Sequence, residues 1–300
     1  MKQLFFRLNA VVLMLLAFSF HSKGADKYVL EFNLEKGKTY KHLTVADVNM
    51  KMNAMGQATV IGTKTEIVTA FEVTDRKNDI FDIRMSYQKM KITIDSPMGK
   101  MTIDSDDPDN SSNKEVANAI KSLAETSVDV QLTKEGNVVS VTGADKLAEK
   151  FGGGSAQVLQ MTNLSLSEDA IKMAFEQMSA YFPGKPVSTG ESWNRTNTIA
   201  TGGFDVINKT TLTLKEVKDN VAVLEINTTL ETPEGGAVMN MQGMDAQITM
   251  KGEQTGTVQI DMKTGWVVSG EFTQKSTNSI AVMGQTIPQE IELKTTITAE

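Results

Sequence analysis

The chain has 300 residues and a mass of 32.7 kDa, with no cysteine, two histidines, 30 Lys and Arg, 37 Asp and Glu, and a formal charge of −7. Without cysteine there is no disulfide framework, zinc ribbon, iron–sulfur cluster, thiol nucleophile or lipobox anchor. The acidic balance argues against nucleic acid as a partner, because phosphate neutralisation needs clustered Lys and Arg, and 40% hydrophobic with 22% charged residues describes a globular chain rather than a disordered one.

Residues 1–24 read as a secretory signal. Lys2 and Arg7 supply the positive n-region, residues 10–20 the apolar h-region, and Ser22 and Gly24 the small residues before a cut after Gly24. The apolar run is too short for a transmembrane helix, and no later stretch reaches membrane length. Cleavage removes Lys2, Arg7, His21 and Lys23, so the mature chain becomes more acidic and keeps His42 as its one histidine. The expected product is periplasmic or secreted, with no lipid tether and no membrane span.

The rest reads as α+β, mainly antiparallel β, with long-stranded curved sheets. Strands are predicted over residues 28–34, 39–53, 58–73 and 80–94, with Phe81, Ile83, Met85 and Tyr87 on one face. An acidic loop, 104–110, precedes a helix opened by the capping pair Ser112 and Glu115, with Val116, Ala119, Ile120 and Leu123 as its apolar stripe. A hairpin follows over 128–132 and 138–141, then a helix over 144–151 and a flexible joint at Gly152-Gly153-Gly154. Ser165 and Glu168 open another helix, with Ile171, Phe175 and Met178 on one face, and Pro183-Gly184-Lys185-Pro186 ends it. From Trp193 onward the pattern is antiparallel strand, ending over 290–298.

Three matches recur in order. Gly37-Lys38-Thr39-Tyr40 parallels Gly190-Glu191-Ser192-Trp193, residues 71–75 parallel 215–219, and 134–140 parallel 263–269. Ordered repeats of this kind suggest two related β-modules. The division is then signal peptide 1–24, first module with a helical insert 25–151, linker and helix 152–186, and second module 187–300. The segment 111–182 supplies amphipathic helices to cover the concave sheet face, with room for an apolar cavity between them.

Methionine is the unusual feature. Met50, Met52 and Met55 share the spacing Met-x-Met-x-x-Met with Met239, Met241 and Met244. Thioethers in that pattern offer a soft Cu(I) site, an adaptable apolar lip for acyl chains or partners, or plain filling of a loose β-core. The six are the candidate ligand-binding residues. The acidic loop lacks the glycine and distal Glu of an EF-hand and reads as solvated. His42 reads as a partly exposed strand histidine, and Trp193 and Trp266 as core anchors. No Gly-x-Ser-x-Gly elbow, P-loop, dinucleotide fingerprint or His-Glu-x-x-His occurs, so no catalytic residue, metal site or cofactor is expected.

The Gly-Lys-Thr-Tyr opening, together with Pro183-Gly184-Lys185-Pro186-Val187 leading into Gly190-Glu191-Ser192-Trp193, resembles an uncharacterised family of secreted Bacteroidetes proteins, a domain of unknown function. That resemblance implies an envelope location and no catalytic residues. At the level of fold alone the pattern is similar to the half-barrel lipoprotein carriers, which wrap long antiparallel strands around a helical plug. The expected function is that of a non-enzymatic envelope protein binding an apolar, lipid-like ligand. The alternatives are a structural or assembly protein acting through an envelope protein partner, and a periplasmic Cu(I)-binding protein.

Overall fold

Outer-face charge and inner-face apolarity alternate along nearly every long strand, and this alternation sets the architecture. The computed structural model describes residues 26–54, 57–151, 167–201, 204–241, 244–282 and 284–300. The signal-like segment, the triple glycine and Ser165 lie outside the described residues.

After a short strand β1 (Lys27–Tyr28) come β2 (Thr39–Ala54), β3 (Gln57–Lys77), β4 (Ile80–Ser96) and β5 (Gly99–Asp104). Helix α1 (Lys114–Leu123), strands β6 (Ser127–Thr133) and β7 (Val138–Thr142), and helices α2 (Ala144–Phe151) and α3 (Glu168–Ser179) follow. The remainder is β8 (Val187–Ser188), β9 (Ser192–Thr201), β10 (Phe204–Lys218), β11 (Val221–Glu231), β12 (Ala237–Met241), β13 (Met244–Asp261), β14 (Val267–Val282) and β15 (Gln285–Ala299). The protein is thus mainly antiparallel β, with one large open sheet of 13 strands in the order β7-β6-β4-β3-β2-β15-β14-β13-β11-β10-β9, where β5 pairs β4 and β12 pairs β13. The two halves of the chain meet at β2 and β15, which pair from His42–Ala299 to Met52–Gln289, so the sheet is continuous.

The sheet curls. Laid flat, the eleven strands of that order would hold their edges about 48 Å apart at the usual strand spacing. Yet Ser179, at the end of α3, gives its hydroxyl proton to the Gly136 carbonyl beside edge strand β7, at 2.9 Å. Three residues on, the Phe182 carbonyl accepts a hydrogen bond from Arg195 of the opposite edge strand, β9. One short segment therefore bridges both edges.

Residues 29–38 cross the same end of the sheet as an irregular strap and correct the strand predicted over 28–34. Only Lys27 and Tyr28 pair, with β8. Beyond them the Phe32 amide bonds the Lys134 carbonyl at 2.7 Å and the Asn33 amide bonds the Thr264 carbonyl at 2.9 Å, two separate hairpin turns. Gly265 makes this approach possible: its φ is +70°, and a Cβ there would lie 2.1 Å from the Glu31 carbonyl oxygen. Leu30, Phe32 and Leu34 enter the core, which also takes Val116, Ala117, Ile120 and Leu123 of α1, Phe175 of α3 and Phe182, with Phe32 and Phe182 edge to face at 4.8 Å.

Two caps differ from the sequence reading. Asn113, not Ser112, accepts the Val116 amide at the start of α1, while the Ser112 hydroxyl accepts the Thr102 amide. At α3 the cap is Ser167, bonded to the Ala170 amide.

Candidate functional site

Pairing register decides which side chains share the inner face. Rows can be followed across the second half of the sheet. The row Phe272, Gly256, Ile226, Leu212, Trp193 is apolar and belongs to the core. The next row, two residues further along each strand, is Gln274, Gln254, Thr228, Thr210 and Arg195. After it come Ser276, Gly252, Leu230, Asn208 and Asn197, and then Met250 and Val206 return to apolar character. A polar belt therefore crosses the inner face between two apolar zones.

Part of this belt lies beneath α3. A cavity of about 620 Å³ opens there, floored by Leu212, Ile226, Phe272 and Ile297, walled by Arg195, Asn197, Asn208, Thr210, Thr228 and Gln254, and roofed by Met173, Gln177, Ala180 and Tyr181. Burial pushes the pKa of the Tyr181 phenol up to about 12. Thr210 and Thr228 share a hydroxyl hydrogen bond at 2.9 Å. Asn208 is only 8% exposed, and its Oδ1 has no hydrogen-bond partner. Ser276 Oγ and Asn278 Oδ1, further along the face, are also buried without partners. Arg195 carries the one full charge among the described inner-face residues of β9 to β15. Its guanidinium bonds the Phe182 carbonyl and pairs with no carboxylate among the described residues.

Met50 and Met52 share the inner face of β2, as their spacing requires: Met50 stands between Ile61 of β3 and Ile291 of β15. Met55 lies outside the described residues. Met239 and Met241 fall on β12 and Met244 on β13. The two methionine runs sit at the same end of the sheet, but β15, β14 and β13 intervene between β2 and β12. Three strand spacings to Met244 and four to Met239 and Met241, about 14–19 Å measured along the sheet, lie between the two runs.

His42 corrects its sequence reading. It is 7% exposed rather than half-open, stacked on Trp266 at 4.4 Å, and its Nε2 lies 2.7 Å from the Val267 carbonyl oxygen. Because a carbonyl only accepts, Nε2 carries the proton. Burial lowers its pKa, more than that hydrogen bond raises it. Both tryptophans are buried. The acidic loop spends its carboxylates locally: Asp104 pairs with Lys91, Asp106 with Lys89 and Asp109 with Lys114.

Sequence reasoning passed over Arg195 and Asn208. The signal was present in the period-two pattern: counting from the core residue Trp193 puts Arg195 and Asn197 on the inward phase, where a strand over a core otherwise carries apolar residues.

No curated protein matches the chain. Among solved structures it is similar to an outer membrane channel from Pseudomonas putida F1, at 6% identity over 90% of this chain and 97% of that one with a TM-score of 0.21. It is similar in the same degree to the translocator domain of the autotransporter NalP from Neisseria meningitidis, at 6% identity over 90% of each chain and a TM-score of 0.21. Likeness at that level carries no argument. No helix among the described residues is long and apolar enough to cross a membrane, which says nothing of strands. A family model, by contrast, matches residues 78–267, well over half of the sequence, and the chain belongs to that family, the family of unknown function DUF6263.

Proposed function

We propose that this is a non-enzymatic cell-envelope protein that binds an apolar, lipid-like ligand on the inner face of its sheet. One observation carries the reading. In the belt's own two rows the inner face turns apolar toward the middle of the sheet, through Leu293 and Ile291 of β15, Val48 and Met50 of β2 and Ile61 of β3, while Leu230 stands in the second of these rows and Met250 one row further on. Their outward neighbours are Asp47, Lys51, Glu290, Glu292, Lys251 and Glu253. Strands of up to 21 residues extend about 70 Å, whereas the 12 residues of α3 span about 18 Å. The described helices are too short to cover that surface, and a sheet wetted on both faces has no use for the alternation. Met50 and Met52 supply an adaptable surface there.

In this reading the helices cover the end closed by the strap. Two copies of one β-meander, residues 25–151 and 187–300 joined by 152–186, supply the walls. A short extra strand after the third long strand of each copy supports the duplication in chain order, β5 after β4 and β12 after β11, although β5 pairs back with β4 and β12 forward with β13. The half-barrel lipoprotein carriers are the architectural analogy. The envelope location rests on the export pattern of residues 1–24.

Native mass spectrometry of the protein purified from periplasm without detergent is the test. The expected spectrum shows a discrete mass excess that solvent extracts as lipid. A clean apo mass, with no binding of an added fluorescent fatty acid ester, overturns the reading.

A further inference from the structure

Resting on the ligand-binding reading above, we propose that the cavity beneath α3 is a head-group site for an anionic amphiphile, a carboxylate or phosphate carried on an apolar chain. Three independent features converge on it. The first is charge. Arg195 is the one full charge on the described inner face of β9 to β15, and it has no carboxylate partner. Glu135 and Glu176 stand at the rim of the cavity, and neither pairs with it among the described residues. A guanidinium has five N–H donors, and among the described residues only the Phe182 carbonyl takes a bond from this exposed side chain. A planar, bidentate anion is the ligand such a group is shaped to hold.

The second feature is an unanswered polar group. Asn208 is more than nine-tenths buried, lines the cavity and leaves its Oδ1 without a partner. Buried polar atoms are nearly always paired; Asn208 stands between Asn197 and Leu230 across the strands, and its side chain lines the cavity. By turning its amide, Asn208 can donate to an oxyanion or accept from a protonated head group.

The third is the position of the belt. Arg195 and Asn208 lie on adjacent rows; Leu230 stands opposite Asn208, and the next row brings Val206 and Met250, which cluster with it. A head group held at the belt therefore directs its chain along β10 and β11 onto the cluster of Val206, Leu230 and Met250. The cavity volume of about 620 Å³ is of the size that encloses a small molecule rather than a single ion.

The test compares a fluorescent long-chain carboxylate with its methyl ester on the full protein. In the unaltered protein the carboxylate is expected to bind about tenfold or more tightly than the ester, the usual value of one charge-assisted contact. Arg195→Gln should erase that preference while leaving ester binding intact, and Arg195→Lys should keep most of it. Equal binding of carboxylate and ester overturns the head-group site while leaving apolar ligand binding standing. Binding of neither overturns both. Inorganic phosphate that displaces the carboxylate but leaves the ester bound supports the same anion contact, whereas phosphate binding with no binding of either chain replaces the amphiphile with a free anion and overturns the proposal. Should Arg195→Gln lose ester binding as well, the comparison in the unaltered protein decides.

Discussion

His42 stacks on Trp266 and gives its Nε2 proton to the Val267 carbonyl, so the native state holds the ring neutral. Its folded pKa lies below 6.5, chiefly because burial penalises the charged form. As pH falls through about 6.5, the unfolded chain takes up a proton that the folded chain resists. Stability from this residue is therefore complete above that pH and declines below it, levelling off beneath the folded pKa. Urea midpoints measured from pH 7 to pH 5 should fall more for the unaltered protein than for His42→Phe. Parallel slopes would refute a buried neutral ring. At this scale the sequence was readable where size alone decides, as for Trp193 and Trp266. It was not readable where neighbours decide. Nothing local to Lys41-His42-Leu43 announces that Trp266, more than two hundred residues on, closes over the ring. Nor does Ser112 announce that its hydroxyl is taken by the Thr102 amide, which leaves the cap to Asn113.

Among the elements, α3 is fixed by what it touches at its end. Gly136 has φ +85°, and a Cβ there would fall 1.9 Å from the Ser179 Cβ. Gly136→Ala should cost about 1–3 kcal/mol by overpacking, with backbone strain in addition. Combining it with Ser179→Gly should recover part of the midpoint shift in chemical denaturation. If the double variant is merely additive, the contact between hairpin and helix is not what constrains Gly136. The strap shows why alternation can mislead. Leu30, Phe32 and Leu34 are buried in turn with exposed neighbours, which is the signature of a half-buried strand. That pattern reports one-sided burial and not ladder pairing, and here the backbone bonds go to two unrelated turns. Phe32 lies in this strap, 2% exposed against Phe182, and Phe32→Ala should lower stability by about 3–5 kcal/mol in the same measurement. A loss below about 1 kcal/mol would mean the strap merely rests on the core.

Over the whole molecule, contacts are unevenly shared. The end closed by the strap holds the large apolar core, whereas toward the far ends of β2, β3 and β15 the outer face is mostly exposed and the inner face no more than half-buried. Hydrogen exchange should therefore be slowest in the core-side stretches of β4, β11 and β13 and faster by orders of magnitude toward the far ends of the same strands, because local opening follows local burial. Uniform protection along each strand would contradict that division. Strand content and hairpin order were legible from turn residues such as Asp219-Asn220, whose positive φ values of 51° and 62° suit a two-residue hairpin. The joining of β2 to β15 was not, since pairing between distant segments leaves no local mark.

That join has a consequence for the chain as it is made. β2 is synthesised early and its partner β15 more than two hundred residues later, so through the whole of that interval the future middle of the sheet is an open margin of unsatisfied backbone. Contacts so remote in sequence form slowly, and long bare margins recruit other chains. A nick or frameshift that removes residues 285–300 would not shorten the sheet from its rim. It would part the sheet at its centre and leave β2 and β14 as two adhesive borders, so late truncations should precipitate rather than accumulate as a smaller folded protein.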